Sequence, residues 1–335
     1  MDIPELLASK PKITLAHLPT PVENLPNIAR YLGADALYVK RDDCTGLAMG
    51  GNKVRQLEYY MGDAVALGAD TVLITGATQS NFVRLTAAAA AKVGMACHIQ
   101  LEHRVDRDDR PYEFSGNVLL DRLLGAKFSR YPEGHDEVGA DAELEKLADV
   151  VRERGGRPYI IHLAAGHVPL GALGYVEAAI ELIEDICNLD LKVDQIFVGS
   201  GSGHTHAGLL FGLRGLGCRI PVIGICVRRS AEQQRERIAM RCEAIAKMLS
   251  VRSPVRRGDV IVDDCVFLPG YGKLNRQTHE AVRLAARMEG LLLDPVYTGK
   301  VFAGMFHRLS TFGICNSLFW HTGGTPALFA YETDF

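Results

Sequence analysis

The sequence predicts an α/β fold with mainly parallel sheets, and three observations carry that expectation. Short β-rich runs alternate with longer helical patterns from Ala36 onward. Two of those runs pass through glycine- and hydroxyl-rich turns directly into helices. Apolar residues fill 47% of the 335 positions, enough to bury a large core. Alternation of this kind points to parallel pairing, because a parallel neighbour is reached only through a crossover long enough to hold a helix.

Strands are expected at Ala36–Lys40, Thr71–Ile74, Cys97–Leu101, Tyr159–His162, Gln195–Val198, Val222–Val227 and Asn316–Trp320. Helices are expected at Val54–Leu67, Asn81–Lys92, Gly134–Arg154, Gly171–Ile186, Thr205–Leu216, Ala231–Leu249 and Asn275–Met288. No repeat, low-complexity linker or charge block divides the chain, so any two lobes are intertwined in sequence. Val105–Arg110 reads as a solvated loop.

The formal charge of −3 and the pI near 6.4 offer no basic field for nucleic acid or an acidic membrane surface, which leaves a small molecule as the expected partner. Eight cysteines are scattered without a Cys-x-x-Cys pair, as expected of reduced thiols in a cytoplasmic protein. Neither a secretion signal in Met1–Lys12 nor a run of roughly 18 uncharged apolar residues is found. No metal site is expected, since the histidines show no ligand spacing.

Three local patterns carry chemistry. In Gln195–Gly208 an apolar strand runs through Gly199, Ser200, Gly201, Ser202, Gly203, His204 and Thr205 into a helix, a turn that aims backbone N–H groups and a positive helix end at an anion. It lacks the Gly-Lys-Ser/Thr of a nucleotide-binding loop, and a plain strand-to-helix turn is an equal reading. A second such turn, Thr75–Asn81, contains Gln79 and Ser80, the latter also a good helix N-cap. Two cradles imply two anions, as a phosphorylated cofactor and an amino-acid carboxylate would present. The third pattern is Gly50-Gly51-Asn52-Lys53, a lysine at a helix start, where the helix dipole disfavours the ammonium and promotes the neutral, nucleophilic amine.

Seven blocks in order then resemble the fold-type II pyridoxal phosphate enzymes, in the branch of the D-cysteine desulfhydrases, L-cysteate sulfo-lyases and 1-aminocyclopropane-1-carboxylate deaminases. They are Leu18-Pro-Thr-Pro21, Lys40-Arg-Asp-Asp43, Gly50-Gly-Asn-Lys53, Gln79-Ser-Asn81, Gly171-Ala-Leu-Gly-Tyr175, Asp294-Pro-Val-Tyr-Thr-Gly-Lys300 and His321-Thr-Gly-Gly324. The resemblance implies a tryptophan synthase β-like fold of two three-layer αβα lobes with mainly parallel sheets. Residues 1–51 plus 165–335 would form a large cofactor-binding domain, and 52–164 a small domain carrying the substrate-carboxylate loop. It further implies that Lys53 carries pyridoxal 5'-phosphate as a Schiff base and, once released, removes the substrate Cα proton. Asn81 would sit beside the cofactor, and Ser80 and its loop, with Gln79, would take the substrate carboxylate. Ser200 to Thr205 would hold the phosphate, Thr322 would meet the pyridine nitrogen, and Tyr297 and Tyr271 would face the substrate. A homodimer is expected.

Within that branch the ring-opening deaminases carry glutamate after the active-site tyrosine and leucine before the last Gly-Gly. Thr298 and Thr322 stand here instead, which favours β-elimination from a small 3-substituted alanine, giving pyruvate, ammonium and a sulfur species. The cyclopropane deaminase is the alternative within the class, and a nucleotide-binding regulatory protein the alternative outside it. Two departures bear on specificity: Phe82 replaces the usual histidine after Gln-Ser-Asn, and His162-Leu-Ala-Ala-Gly-His167 replaces a glycine-rich stretch. Phe82 should make the substrate pocket drier, with His167 a candidate to supply the lost polar contact.

Overall fold

The apolar runs assemble into two sheets. The computed structural model describes residues 1–164 and 166–335, so the expected lobe boundary at Ala165 lies outside the described residues. In chain order the strands are β1 (Val22–Asn24), β2 (Leu37–Arg41), β3 (Thr71–Ala77), β4 (Ala96–Glu102), β5 (Lys127–Tyr131), β6 (Pro158–Ile161), β7 (Gln195–Ser200), β8 (Val222–Cys226), β9 (Ile261–Asp263) and β10 (Ser317–His321). One sheet has six strands in the order β1-β2-β10-β7-β8-β9, and the other has four in the order β5-β4-β3-β6. Every pairing is parallel except β1 with β2.

The helices are α1 (Ile3–Ala8), α2 (Pro26–Leu32), α3 (Lys53–Ala66), α4 (Asn81–Val93), α5 (Arg110–Phe114), α6 (Gly116–Leu123), α7 (Glu137–Glu153), α8 (Leu173–Asn188), α9 (His204–Gly215), α10 (Ala231–Met248), α11 (Arg276–Glu289) and α12 (Thr298–Phe312). Strand side chains alternate between the two faces of a sheet, and both faces here are covered. Ile196, Val198, Leu318 and Trp320 pack with α8, α9 and α10, whereas Phe197, Ile223, Ile225 and Phe319 pack with α2, α11 and α12. In the smaller sheet Val72, Ile74, Ile99 and Leu101 pack with α3 and α4, while Leu73 and Ile160 meet Leu144 and Ala148 of α7. Both units are therefore three-layered.

All seven expected strands form, with ends displaced by up to three residues. The three unforeseen ones, β1, β5 and β9, are all sheet edges. Edge strands are short or polar because one side faces solvent, and so they lack the apolar signature. Val105–Asp109 is the expected loop, with Asp106 and Asp108 exposed and Arg110 opening α5; it is anchored where Val105 is buried and Arg107 pairs with Asp109 and Asp334, which ties the segment to the C-terminus. Among the described residues no helix is long and apolar enough to cross a membrane.

The orientation of α3 matters most for the site. The buried Asp42 carboxylate accepts from Arg55 Nε (3.1 Å) and Nη2 (2.9 Å), Thr20 Oγ1 (2.9 Å), Trp320 Nε1 (2.8 Å) and the Tyr175 hydroxyl. Arg55 also reaches Glu181 on α8 at 2.8 Å. These bonds pin the first turn of α3, and with it Lys53, against β2, β10 and α8.

Candidate active site

A cavity opens where the carboxyl ends of parallel strands from both sheets face each other, the place at which open α/β sheets bind ligands. Segments following β3, β4, β7, β8 and β10 reach it, as does the start of α3. Lys53 lies in its wall, and burial lowers the amine from 10.5 to about 8. Its Nζ is 4.9 Å from the Phe82 ring centroid and 3.4 Å from Gln56 Oε1. Lys300, a second lysine with a lowered pKa, is held by the carbonyls of Phe267 (2.9 Å) and Gly270 (2.7 Å), and so serves the loop that carries Tyr271.

On the β7 side, Gly201, Ser202, Gly203 and Thr205 line the cavity. Among the described residues no side chain caps α9, whose N-cap is Gly203 at φ +97°, a conformation that favours glycine. Thr205 Oγ1 accepts from Asn52 Nδ2 (2.8 Å) and Gln56 Nε2 (2.9 Å), which leaves its own O–H to donate to a ligand. Open first-turn amides, a free hydroxyl and a desolvated amine together fit a phosphorylated aldehyde such as pyridoxal phosphate.

On the β3 side, Ser80 both lines the cavity and caps α4, its Oγ accepting from Phe82 N (3.2 Å) and Val83 N (3.4 Å). Asn117 Nδ2 donates to Asn81 Oδ1 at 3.0 Å, so the Asn81 amide keeps its N–H donors for the cavity. Tyr271 and Tyr297 share a 2.6 Å hydrogen bond between hydroxyls, and burial holds Tyr297 well above the usual phenol range. Thr322 and Phe82 complete the expected lining.

Four expected residues stand elsewhere. Gln79 is spent on structure: its Nε2 donates to the carbonyls of Tyr112 (2.6 Å) and Ser115 (3.0 Å), and its Oε1 accepts from Asn117 N (2.9 Å). Ser200 turns beneath the glycine loop toward Gln234 Nε2 (2.8 Å) and His206 Nδ1 (3.0 Å). His204 is buried behind the same loop, where desolvation and nearby Arg241 keep it neutral. His167 lies outside the cavity wall, with its Nε2 3.0 Å from Asp141 Oδ2.

The cavity also contains groups that the sequence reading passed over. Asn52 lines the cavity beside Lys53, while Gln56, buried behind the wall, donates to Thr205 Oγ1; their positions one before and three after the lysine are a usable signal. Glu102 ends β4 and Arg104 lies two residues beyond it, and they form a two-point pair (2.7 and 2.6 Å). Arg228 follows β8, and burial together with Arg104 pushes it below the ordinary guanidinium range. Among the described residues it makes one ion pair, with Glu137 at 2.8 Å. These charged residues sit in different segments and share no motif; only the strand ends bring them together.

Comparison with known proteins agrees with this geometry. Residues 13–323 match the model of the family described as "Pyridoxal-phosphate dependent enzyme". The chain is 43% identical over 325 residues to a D-cysteine desulfhydrase of Salmonella typhi, with 96% of each chain covered, and equally so to that of Salmonella paratyphi B. Among solved structures, an ACC deaminase homologue superposes with a TM-score of 0.87 at 37% identity, covering 99% of this chain and 97% of the other. An O-ureido-L-serine synthase, at 18% identity and a TM-score of 0.66 over 93% and 92%, shares the fold. The chain thus belongs to the pyridoxal-phosphate dependent enzymes.

Proposed function

We propose that this enzyme catalyses β-elimination from a small 3-substituted alanine, of the kind D-cysteine desulfhydrase carries out, releasing pyruvate, ammonium and the β-substituent. The observation that carries the reading is the meeting, in one cavity, of a desolvated Lys53 amine, the open start of α9 and the Ser80–Asn81 start of α4. Its closeness to the Salmonella desulfhydrases supports it.

Bound there, pyridoxal phosphate supplies an electron sink that stabilises negative charge at the substrate Cα. Gly201 to Thr205 would hold its phosphate, with the Thr205 hydroxyl donating and Asn52 and Gln56 fixing that hydroxyl's direction. Thr322 would face the pyridine nitrogen as a neutral partner. Ser80, through its hydroxyl and the first-turn amides of α4, would take the substrate carboxylate, and the Asn81 amide would donate alongside. Lys53 Nζ would remove the Cα proton, and its lowered pKa provides a usable neutral fraction near pH 7. Of the paired Tyr271 and Tyr297 hydroxyls, one donates to the other, and the one proton left free would donate toward the departing group. Residues 52–164 and the remainder act in this scheme as two lobes closing on the substrate. All eight cysteines are free, which supports a cytoplasmic setting, and we take the working unit to be a homodimer.

A second reading, an L-cysteate sulfo-lyase, is favoured by Arg104 and Arg228. Both line the cavity, and among the described residues the Arg228 guanidinium donates no hydrogen bond of good geometry. A sulfonate is an anion such donors would hold. The deciding assay measures pyruvate together with sulfide or sulfite over both enantiomers of cysteine and cysteate, 3-chloroalanine and the cyclopropane acid. Release of 2-oxobutyrate from the cyclopropane acid as the main activity would overturn the elimination reading. Arg228→Gln should lower kcat/KM for cysteate at least tenfold while leaving cysteine within a factor of about two, if the arginine serves the sulfonate.

A further inference from the structure

Beside the cavity mouth, Asp141, His162 and His167 bring three potential ligand atoms within 4.8 Å of one another. We propose that they form a binding site for a divalent transition-metal ion of the Zn²⁺ class, at the rim of the cavity and separate from the cofactor machinery. Asp141 Oδ1 is 3.5 Å from His162 Nδ1, and Asp141 Oδ2 is 3.0 Å from His167 Nε2. Ligands bound at about 2.0–2.2 Å around one ion stand roughly 3–3.5 Å apart, so each histidine already stands at ligand spacing from one Asp141 oxygen, while the three ligand atoms together lie within 4.8 Å and must draw in on binding. Two imidazoles and one carboxylate suit Zn²⁺ and its transition-metal neighbours, whereas Mg²⁺ and Ca²⁺ take oxygen shells.

Three further observations point the same way. His162 Nδ1 is a buried ring nitrogen with no hydrogen-bond partner among the described residues, and it faces Asp141. The opposite ring nitrogen, His162 Nε2, lies 3.3 Å from Glu145 Oε1, one helical turn beyond Asp141 on α7. A carboxylate on the far nitrogen of a histidine fixes the tautomer and orients the near nitrogen, as it does around protein-bound zinc. Asp141 itself is 13% exposed, and among the described residues no lysine or arginine pairs with it.

The backbone that carries the histidines is braced. Arg241 donates to the carbonyls of Leu163 (3.0 Å), Ala164 (2.9 Å) and His167 (3.0 Å), and Arg237 to that of Leu163 (3.1 Å). The two rings lie stacked at 3.9 Å and 4° from parallel, so their lone pairs do not yet converge. Binding requires one ring to turn, and His167, 41% exposed, has room to do so. Occupancy ties α7 to the segment that leaves the four-stranded sheet and fixes Leu163 and Ala164, which line the cavity.

The test uses the holoenzyme, stripped with a chelating resin and then equilibrated with ZnCl₂, with bound zinc measured by elemental analysis and its affinity by calorimetry. One zinc per chain is expected in the wild type. The His162→Ala/His167→Ala double variant should lose it, with cofactor content and melting temperature retained, and Glu145→Gln should bind 10–100-fold more weakly. Should the double variant fail to fold, His167→Gln alone carries the test, with an expected loss of at least tenfold. Sub-stoichiometric zinc in the wild type, or uptake unchanged in the folded variants, would overturn the site.

Discussion

The state of the Lys53 amine before the cofactor arrives is set by burial, and this makes its loading measurable against pH. An exposed lysine near 10.5 is neutral in only about 0.03% of molecules at pH 7, whereas one at about 8 is neutral in roughly 10%, a gain of about 300-fold in the nucleophilic form. The ring of Phe82 at 4.9 Å favours the cation, but desolvation is the larger effect and decides the direction. The second-order rate of cofactor uptake by the apoenzyme, followed by stopped-flow absorbance, should therefore rise with pH through a midpoint near 8 and then level off. The same shift has a stability consequence. Because the folded amine titrates below the unfolded one, the unfolded chain binds more protons between about 8 and 10.5, so the apoenzyme gains stability as pH rises through that window. Burial also lowers Lys300 to about 8, so the pH profile alone does not identify the lysine. Borohydride reduction and peptide mass mapping do, and should place the cofactor on Lys53. A midpoint near 10.5, or a label on Lys300, would refute the reasoning.

Three other outcomes are expected. Removing the hydroxyls of Ser202 and Thr205 together, as Ser202→Ala/Thr205→Val, should weaken cofactor retention by about 1.5–3 kcal/mol per lost charged hydrogen bond, with kcat of the saturated enzyme little changed; unaltered affinity in equilibrium dialysis would exclude the loop as the phosphate cradle. Phe82→His places a hydrogen-bonding ring in the cavity wall and should raise kcat/KM for D-cysteine or L-cysteate, while the lost packing against Tyr60 and the buried core costs about 1–3 kcal/mol in urea unfolding; a destabilised variant with no gain on either substrate would sink the pocket role of residue 82. Asp42→Ala leaves the buried Arg55 with Glu181 as its remaining carboxylate, and should cost about 3–5 kcal/mol in the same unfolding assay; a loss under about 1 kcal/mol would mean that the carboxylate does not organise α3.

The sequence by itself determined the elements that carry a strong local signal. The buried parallel strands announced themselves as apolar runs because both faces of each sheet are covered, and α4 announced its start because Ser80 is both a turn residue and a cap. Lys53, Ser80, Asn81 and the Gly201–Thr205 turn stood out because each lies where a glycine- or hydroxyl-rich turn opens a helix, whereas the two tyrosines stood out only through the family resemblance; all of these segments reach the cavity wall. Direction was not legible. Ser200, His204 and Gln79 occupy the expected loops, yet their side chains turn into the protein, and which way a loop residue points depends on the partners that fold around it: Gln234 and His206 for Ser200, Asn117 for Gln79.

The tertiary structure alone decided the electrostatics of the cavity. Glu102 ends β4 and Arg104 lies two residues beyond it, Arg228 follows β8, and Glu137 begins α7. Arg104 and Glu137 are 33 positions apart and Glu137 and Arg228 are 91 apart, so no spacing rule groups them, and they meet only because parallel strands send their carboxyl ends to one side of each sheet. His162, His167 and Asp141 repeat the lesson on a smaller scale. The two histidines are five apart in a loop, a spacing that suggested no metal; the carboxylate that completes the cluster comes from α7, which reaches them by packing across the outer face of the four-stranded sheet. Local sequence encodes strand, cap and turn through backbone preference and burial. Convergence of charges from distant segments is a property of topology, and it is readable only once the strands have been ordered.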